Sequence, residues 1–140
     1  MIILDTNVLS ALMHKAPDAA VVEWLDRQPA DSLWITSVSL FEVQMGLALL
    51  PAGKRRQSLQ AAFAQILSED LENRVLHFDA AAAEKAATLA AQRQRSGRTV
   101  DVRDTQIAGI ALARRATLAT RNTRDFADLD VPVVNPWGGD

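Results

Sequence analysis

The sequence predicts an α/β domain, a three-layer fold with a mainly parallel central sheet. Short β-type runs alternate with longer helical patterns along the whole chain, the arrangement that a parallel sheet covered by helices requires. The first run, Ile2-Ile3-Leu4, is uninterruptedly apolar, as in a strand buried on both faces. A length of 140 residues suits one domain built on one core, so residues 1–140 are read as a single domain.

Strands are expected at Ile2 to Leu4, Leu33 to Thr36, Arg74 to Phe78, Thr117 to Thr120 and Val131 to Val134. The last suits only a sheet edge, because Pro132 and Pro136 cannot donate to a ladder. Helical patterns fill the gaps. Val8 to His14 is short, and Asp18 to Arg27 carries Val21, Val22 and Leu25 on one face. Ser39 to Leu50 is strongly apolar and ends at the loop Pro51-Ala52-Gly53. Lys54 to Leu71 places Leu59, Phe63, Ile66 and Leu67 at helical spacing. Asp79 to Arg95 is Ala-rich, with Asp79 as N-cap and Gly97 as stop. Val102 to Arg115 starts from Asp101 as N-cap and runs through Ile107, Ile110, Ala111 and Ala113.

Composition removes several function classes. Without cysteine there is no disulfide, thiolate nucleophile or thiolate zinc site, which fits a reducing compartment. No basic leader precedes a long apolar stretch, and no segment approaches the roughly 20 apolar residues that span a bilayer. A cytoplasmic protein without a membrane role is expected. The formal charge of -2 argues against electrostatic binding of nucleic acid by the chain as a whole, so any affinity for a polyanion must be local.

Four acids stand at element ends: Asp5, Glu42, Asp104 and Asp125. Asp5 lies just past a buried strand, where open α/β sheets bind ligands, and no capping or pairing role is evident for it. The others also fit ordinary structural roles. Ser39-Leu40-Phe41-Glu42 has the form of a capping box, with Glu42 reaching back to the Ser39 turn. Asp101 and Asp104 fall in a first helical turn, where the macrodipole favours any carboxylate. Together the acids make a metal centre if the fold gathers them, because hard divalent ions take oxygen ligands from several elements while Mg²⁺ keeps part of its water. No rival apparatus is present: there is no Cys or Tyr, no Gly-rich phosphate loop and no G-x-S-x-G elbow. His14 and His77, the only histidines, read as surface or core residues.

Four segments carry a resemblance: Ile3-Leu4-Asp5-Thr6-Asn7-Val8-Leu9; Glu42 after Ile35-Thr36-Ser37; Asp101-Val102-Arg103-Asp104-Thr105-Gln106-Ile107-Ala108; and Leu118-Ala119-Thr120-Arg121-Asn122-Thr123-Arg124-Asp125-Phe126. In this order they resemble the PIN domain, and more closely the VapC-type toxins of bacterial toxin-antitoxin pairs, in the branch that includes FitB. The resemblance implies a PIN-like fold and a Mg²⁺- or Mn²⁺-dependent endoribonuclease leaving 5′-phosphate and 3′-hydroxyl ends. It implies Asp5, Glu42 and Asp104 as metal ligands and Asp125 as a fourth catalytic acid, with Asn122 the other occupant of that fourth position. Thr6, Asn7, Asp101 and Thr120 would support the site. It also implies a homodimer and a cognate antitoxin that docks on the region of residues 38–50 and blocks the acids.

RNA near an acidic centre needs local bases. Lys54-Arg55-Arg56 and Arg93 to Arg98 are the two clusters, and Arg103, Arg121 and Arg124 lie within the motifs. Arg98, Arg103, Arg121 and Arg124 are the expected RNA contacts; a solvated helix end is the other reading of Arg93 to Arg98. Residues 38–50 are apolar nearly all round, which fits either a deeply buried helix or a partner surface that Trp24 joins. From another functional class, the same acids would suit a catalytically inert metal- or partner-binding α/β regulatory module.

Overall fold

The computed structural model describes residues 1–138. Five parallel strands form one sheet in the order β3-β2-β1-β4-β5: β1 (Ile2–Leu4), β2 (Leu33–Thr36), β3 (Val75–Leu76), β4 (Thr117–Ala119) and β5 (Val133–Val134). The six helices are α1 (Thr6–Leu12), α2 (Ala19–Asp26), α3 (Ser37–Leu49), α4 (Lys54–Gln65), α5 (Ala80–Arg95) and α6 (Val102–Arg114). The sheet grows one way from β1 through β2 to β3, then restarts on the other side with β4. This places a topological switch point between β1 and β4.

Side chains of successive strand residues point to opposite faces, and β1 shows the consequence. Ile3 joins a core with Leu118, Phe126 and the Ile107 and Ile110 side of α6, while Leu4 joins one with Val8, Leu9, Ile35, Val43 and Phe63. The two cores make the three layers. On the first side α6 crosses α5 very closely at Gly109, where an added Cβ would lie 2.5 Å from the Ala82 carbonyl oxygen and 2.7 Å from Ala86 Cβ.

Side-chain caps fix where the helices start. Asp18 accepts from Ala20 N, Asp79 from Ala82 N and Asp101 from Asp104 N. Some boundaries differ from expectation. The third strand is limited to Val75–Leu76, since only Ile35 and Thr36 of β2 offer it partners. The helix expected to reach Leu71 widens into a π turn over Ile66–Asp70, and a left-handed pair, Glu72 and Asn73, follows. Helix α3 is not buried all round: Val38, Val43 and Leu47 face the core, while Phe41, Met45 and Leu49 form an exposed stripe. Among the described residues no helix is long and apolar enough to cross a membrane.

Candidate active site

Asp5 ends β1 and begins α1. Its N–H continues the sheet by donating to the Ala119 carbonyl at 2.9 Å, and its Oδ1 caps α1 by accepting from Thr6 N at 2.8 Å. Oδ2 accepts from Thr120 Oγ1 at 2.7 Å and from Asn7 Nδ2 at 3.4 Å. Thr120 follows β4, so the bond between Asp5 and Thr120 spans the switch point. Asp5 is only 3 % exposed. Burial pushes its carboxyl pKa upward; the bonds from Thr120 and Thr6 oppose this, and the charges of Glu42 and Asp101 reinforce it.

Thr120 Oγ1 also accepts from Asn7 Nδ2 at 3.3 Å and from Asn122 N at 3.1 Å. Asn7 Oδ1 in turn accepts from Arg121 N at 3.4 Å. Asp5, Asn7 and Thr120 therefore form one knot, in which the carboxylate has its rotamer set by neighbours.

Glu42 does not close a capping box. Helix α3 starts at Ser37, two residues earlier than expected, and Thr36 Oγ1 is the cap that accepts from Ser39 N at 3.0 Å. Freed from that role, Glu42 reaches across to α1. Thr6 Oγ1 lies 2.9 Å from both Glu42 Oε1 and Ser39 Oγ. A carboxylate has no proton to give, so the Thr6 hydroxyl donates to Glu42 and Ser39 supplies the proton between the two hydroxyls. On its other side Glu42 Oε2 stands 3.7 Å from Arg103 Nη1.

Asp104 sits in the first turn of α6, half-buried, with its own N–H held by Asp101 Oδ1 at 3.0 Å. Burial raises its carboxyl to about 6, reinforced by the charges of Asp5, Asp101, Glu42 and Asp125 in that order. All four other acids thus act on Asp104 through space. Asp101 serves both as N-cap and as a nearby charge. Asp125 is exposed on a 3₁₀ turn, Thr123–Phe126, and Asn122 enters this turn through its backbone, whose carbonyl accepts Asp125 N–H at 3.0 Å.

The chemistry of this donor set fits a hard divalent cation. It is all oxygen, drawn from four elements at the carboxyl ends of parallel strands, and its members repel one another until a cation offsets them. Among the described residues no three His, Cys, Asp or Glu side chains stand close enough to form a ready-made ligand cage. Mg²⁺, which binds through one or two carboxylates and retained water, does not require one.

The basic residues divide. Arg121 stacks over the Trp137 ring at 4.9 Å and, with Arg124, Asn122 and Asp125, lines a rim recess of about 340 Å³. Arg98 instead donates to Asp128 Oδ2 at 2.7 Å and to the Asp125 carbonyl at 3.3 Å. Arg93 overturns the reading of a solvated or RNA-facing helix end, since it is 4 % exposed. Ser39, Arg93, Asp128 and Trp137 were not singled out from sequence as site residues. Residue type gave only generic signals at these positions, and several of the bonds that define their roles are long-range: Ser39 meets Thr6 33 positions away and Arg93 meets Asp128 35 positions away.

The PIN domain family profile matches residues 2–132. "Plasmid stability protein StbB" of Pseudomonas syringae pv. tomato is 39% identical over 137 residues, covering 98% of this chain and 99% of that protein. "VapC ribonuclease Y4jK" of Sinorhizobium fredii is also 39% identical over 137 residues, 98% of each. The crystal structure of FitAcB from Neisseria gonorrhoeae superposes with a TM-score of 0.88 at 33% identity, covering 99% of this chain and 100% of that one.

Proposed function

The chain belongs to the PIN-domain family, and on that premise we propose that it is a Mg²⁺- or Mn²⁺-dependent endoribonuclease, the toxin of a toxin-antitoxin pair. Residues 1–140 act as one PIN-like domain in the cytoplasm. The observation that carries this reading is the gathering of acids at the switch point of the sheet: Asp5 is bonded by Thr120 and by Thr6 N–H, the Thr6 hydroxyl is bonded to Glu42, and Asp101 caps the turn that presents Asp104.

Asp5, Glu42 and Asp104 would hold the ion, and Asp125 is the fourth catalytic acid. When bound there, a divalent ion would supply charge to the phosphodiester oxygens and lower the pKa of a water nucleophile. Thr6, Asn7 and Thr120 hold the carboxylates in place before substrate arrives, so little reorganisation is left for the reaction itself. Asp101 holds the turn that presents Asp104. Arg103, Arg121 and Arg124 at the rim take the RNA phosphates; Arg98 contributes least, its fork being spent on Asp128.

The exposed stripe Phe41, Met45 and Leu49 on α3, one turn from Glu42, is the surface on which a cognate antitoxin docks, and the active form is a homodimer. Cleavage of RNA by wild type, Asp5→Asn and Asp104→Asn, purified identically and assayed with Mg²⁺ and with chelator, tests the reading. Cleavage by wild type with Mg²⁺ alone supports it. Equal cleavage by all three proteins points to a contaminating nuclease and removes the case.

A further inference from the structure

We infer that Arg93 is a positioning residue, which braces the Asp125 turn and the first turn of α6 against each other. The inference rests on the metal-dependent nuclease reading above. Among the described residues Asp5 and Arg93 are the only ionisable side chains that are buried. A helix-terminal arginine ordinarily extends into water, as Arg95 does two residues later. Taking a guanidinium out of water is costly unless each of its donors finds a partner.

The partners of Arg93 all flank the acids. Nη2 donates to the Asp125 carbonyl at 2.9 Å, and Nη1 to Thr105 Oγ1 at 3.4 Å. Nε and Nη2 grip the two carboxylate oxygens of Asp128, each at 2.9 Å. Thr105 Oγ1 itself donates to the Asp101 carbonyl at 2.7 Å, so the chain of bonds continues to the cap that holds Asp104. One planar fork thus links the end of α5, the start of α6 and the turn of the fourth acid. Arg98 adds a weaker hold on Asp128 and the Asp125 carbonyl from outside.

The arrangement also keeps the brace from neutralising the site. Asp128 matches the charge of Arg93, and its own carboxyl is held below the usual range by that hydrogen bond. The influences on the Asp104 carboxyl are burial and carboxylates, each of which raises it. An unpaired cation among the acids would compete with a metal ion; Arg93, paired with Asp128, fixes geometry and leaves their charge available.

The test uses the full chain as wild type, Arg93→Lys, Asp128→Asn and Arg98→Ala, each with and without Asp125→Asn. Lysine keeps the charge but cannot engage Asp128, Thr105 and the Asp125 carbonyl together. Arg93→Lys is expected to lower kcat about 10- to 100-fold with KM within about twofold, as a misplaced catalytic group does. The Mn²⁺ concentration for half-maximal activity should rise with it, and Arg98→Ala, which loosens only the outer hold on Asp128 and the Asp125 carbonyl, should shift both readouts in the same direction by a smaller factor. With Asp125→Asn present, Arg93→Lys should cost clearly less than it does alone, because the share of its effect that runs through the Asp125 turn is already lost. The full loss in both backgrounds, or unchanged kcat and Mn²⁺ requirement, overturns the proposal. If Arg93→Lys does not fold, Asp128→Asn, whose side chain is 31% exposed, decides by the same readouts. Amide exchange at Asp125 and Thr105 in the metal-free variant should accelerate; unchanged exchange overturns the brace even if wild type cleaves nothing. A wild type with neither cleavage nor response to Mn²⁺ counts against the nuclease reading instead.

Discussion

Thr120 Oγ1 donates to Asp5 Oδ2 at 2.7 Å across 115 positions of sequence, joining the ends of β1 and β4 where the sheet changes direction. A hydrogen bond to a charged group is typically worth about 1.5–3 kcal/mol. Thr120→Val keeps the shape, removes that donor, and strands Asn122 N–H, which the same hydroxyl accepts. It should destabilise the protein by about 2–3 kcal/mol in urea unfolding and reduce metal-dependent cleavage, while Thr120→Ser should retain most of both. Loss of stability in Thr120→Val with full activity would separate folding from orientation of Asp5.

The acids were legible because their placement is local. Asp5 follows an apolar run, and Asp101 and Asp104 fall in a helix start whose cap pattern is read over four residues. Glu42 was harder, because Ser39 and Thr36 both suit an N-cap and only the packing of α3 against β2 selects Thr36. The brace formed by Arg93 had no local signal at all: helix-end cations are common, and Asp128 lies 35 positions on. Strand order was hidden for the same reason, since neighbours in the sheet are set by crossovers rather than by adjacent sequence.

Stability of the metal-free protein should depend on Asp104 in a defined direction. Its carboxyl is raised in the folded state, so its favourable contribution is complete below about 4 and is lost as pH rises through about 6. The full shift would correspond to about 3 kcal/mol, and solvent screening at a half-buried group reduces this to about 1–2 kcal/mol. Asp104→Asn, neutral at every pH, should therefore melt above wild type at pH 8 without metal and match it near pH 4. A gain independent of pH would place its cause outside the carboxyl charge.

Two helical glycines should respond oppositely to alanine. In α3, Gly46 has nothing within 4 Å of an added Cβ, and Gly46→Ala should stabilise by up to about 1 kcal/mol through helix propensity. At Gly109 the same methyl meets the backbone of α5, whose Ala82 oxygen cannot yield without moving the helix. Gly109→Ala should cost about 1–3 kcal/mol net by urea unfolding, and lower cleavage as well because α6 carries Asp104. Equal effects at the two positions would contradict the close crossing.

Arg121 and Arg98 should differ in RNA binding. Arg121→Ala removes a rim cation and is expected to raise KM for RNA and reduce the salt dependence of binding by about one phosphate contact. Arg98→Ala should change neither by a comparable amount, because that side chain is paired with Asp128. Equal changes in the salt slope would place RNA on both sides of the Asp125 turn.

Acids from several elements that form one divalent-cation site should make melting respond to metal, with no substrate needed. At ten times Kd, an ion that binds only the folded state stabilises by about 1.4 kcal/mol, or about 4–6 °C for a domain of this size. Wild type should show that rise with Mn²⁺ or Mg²⁺, and Asp5→Asn and Asp104→Asn should not. An unchanged Tm for wild type at millimolar ion, or the same rise in all three proteins, would contradict the site.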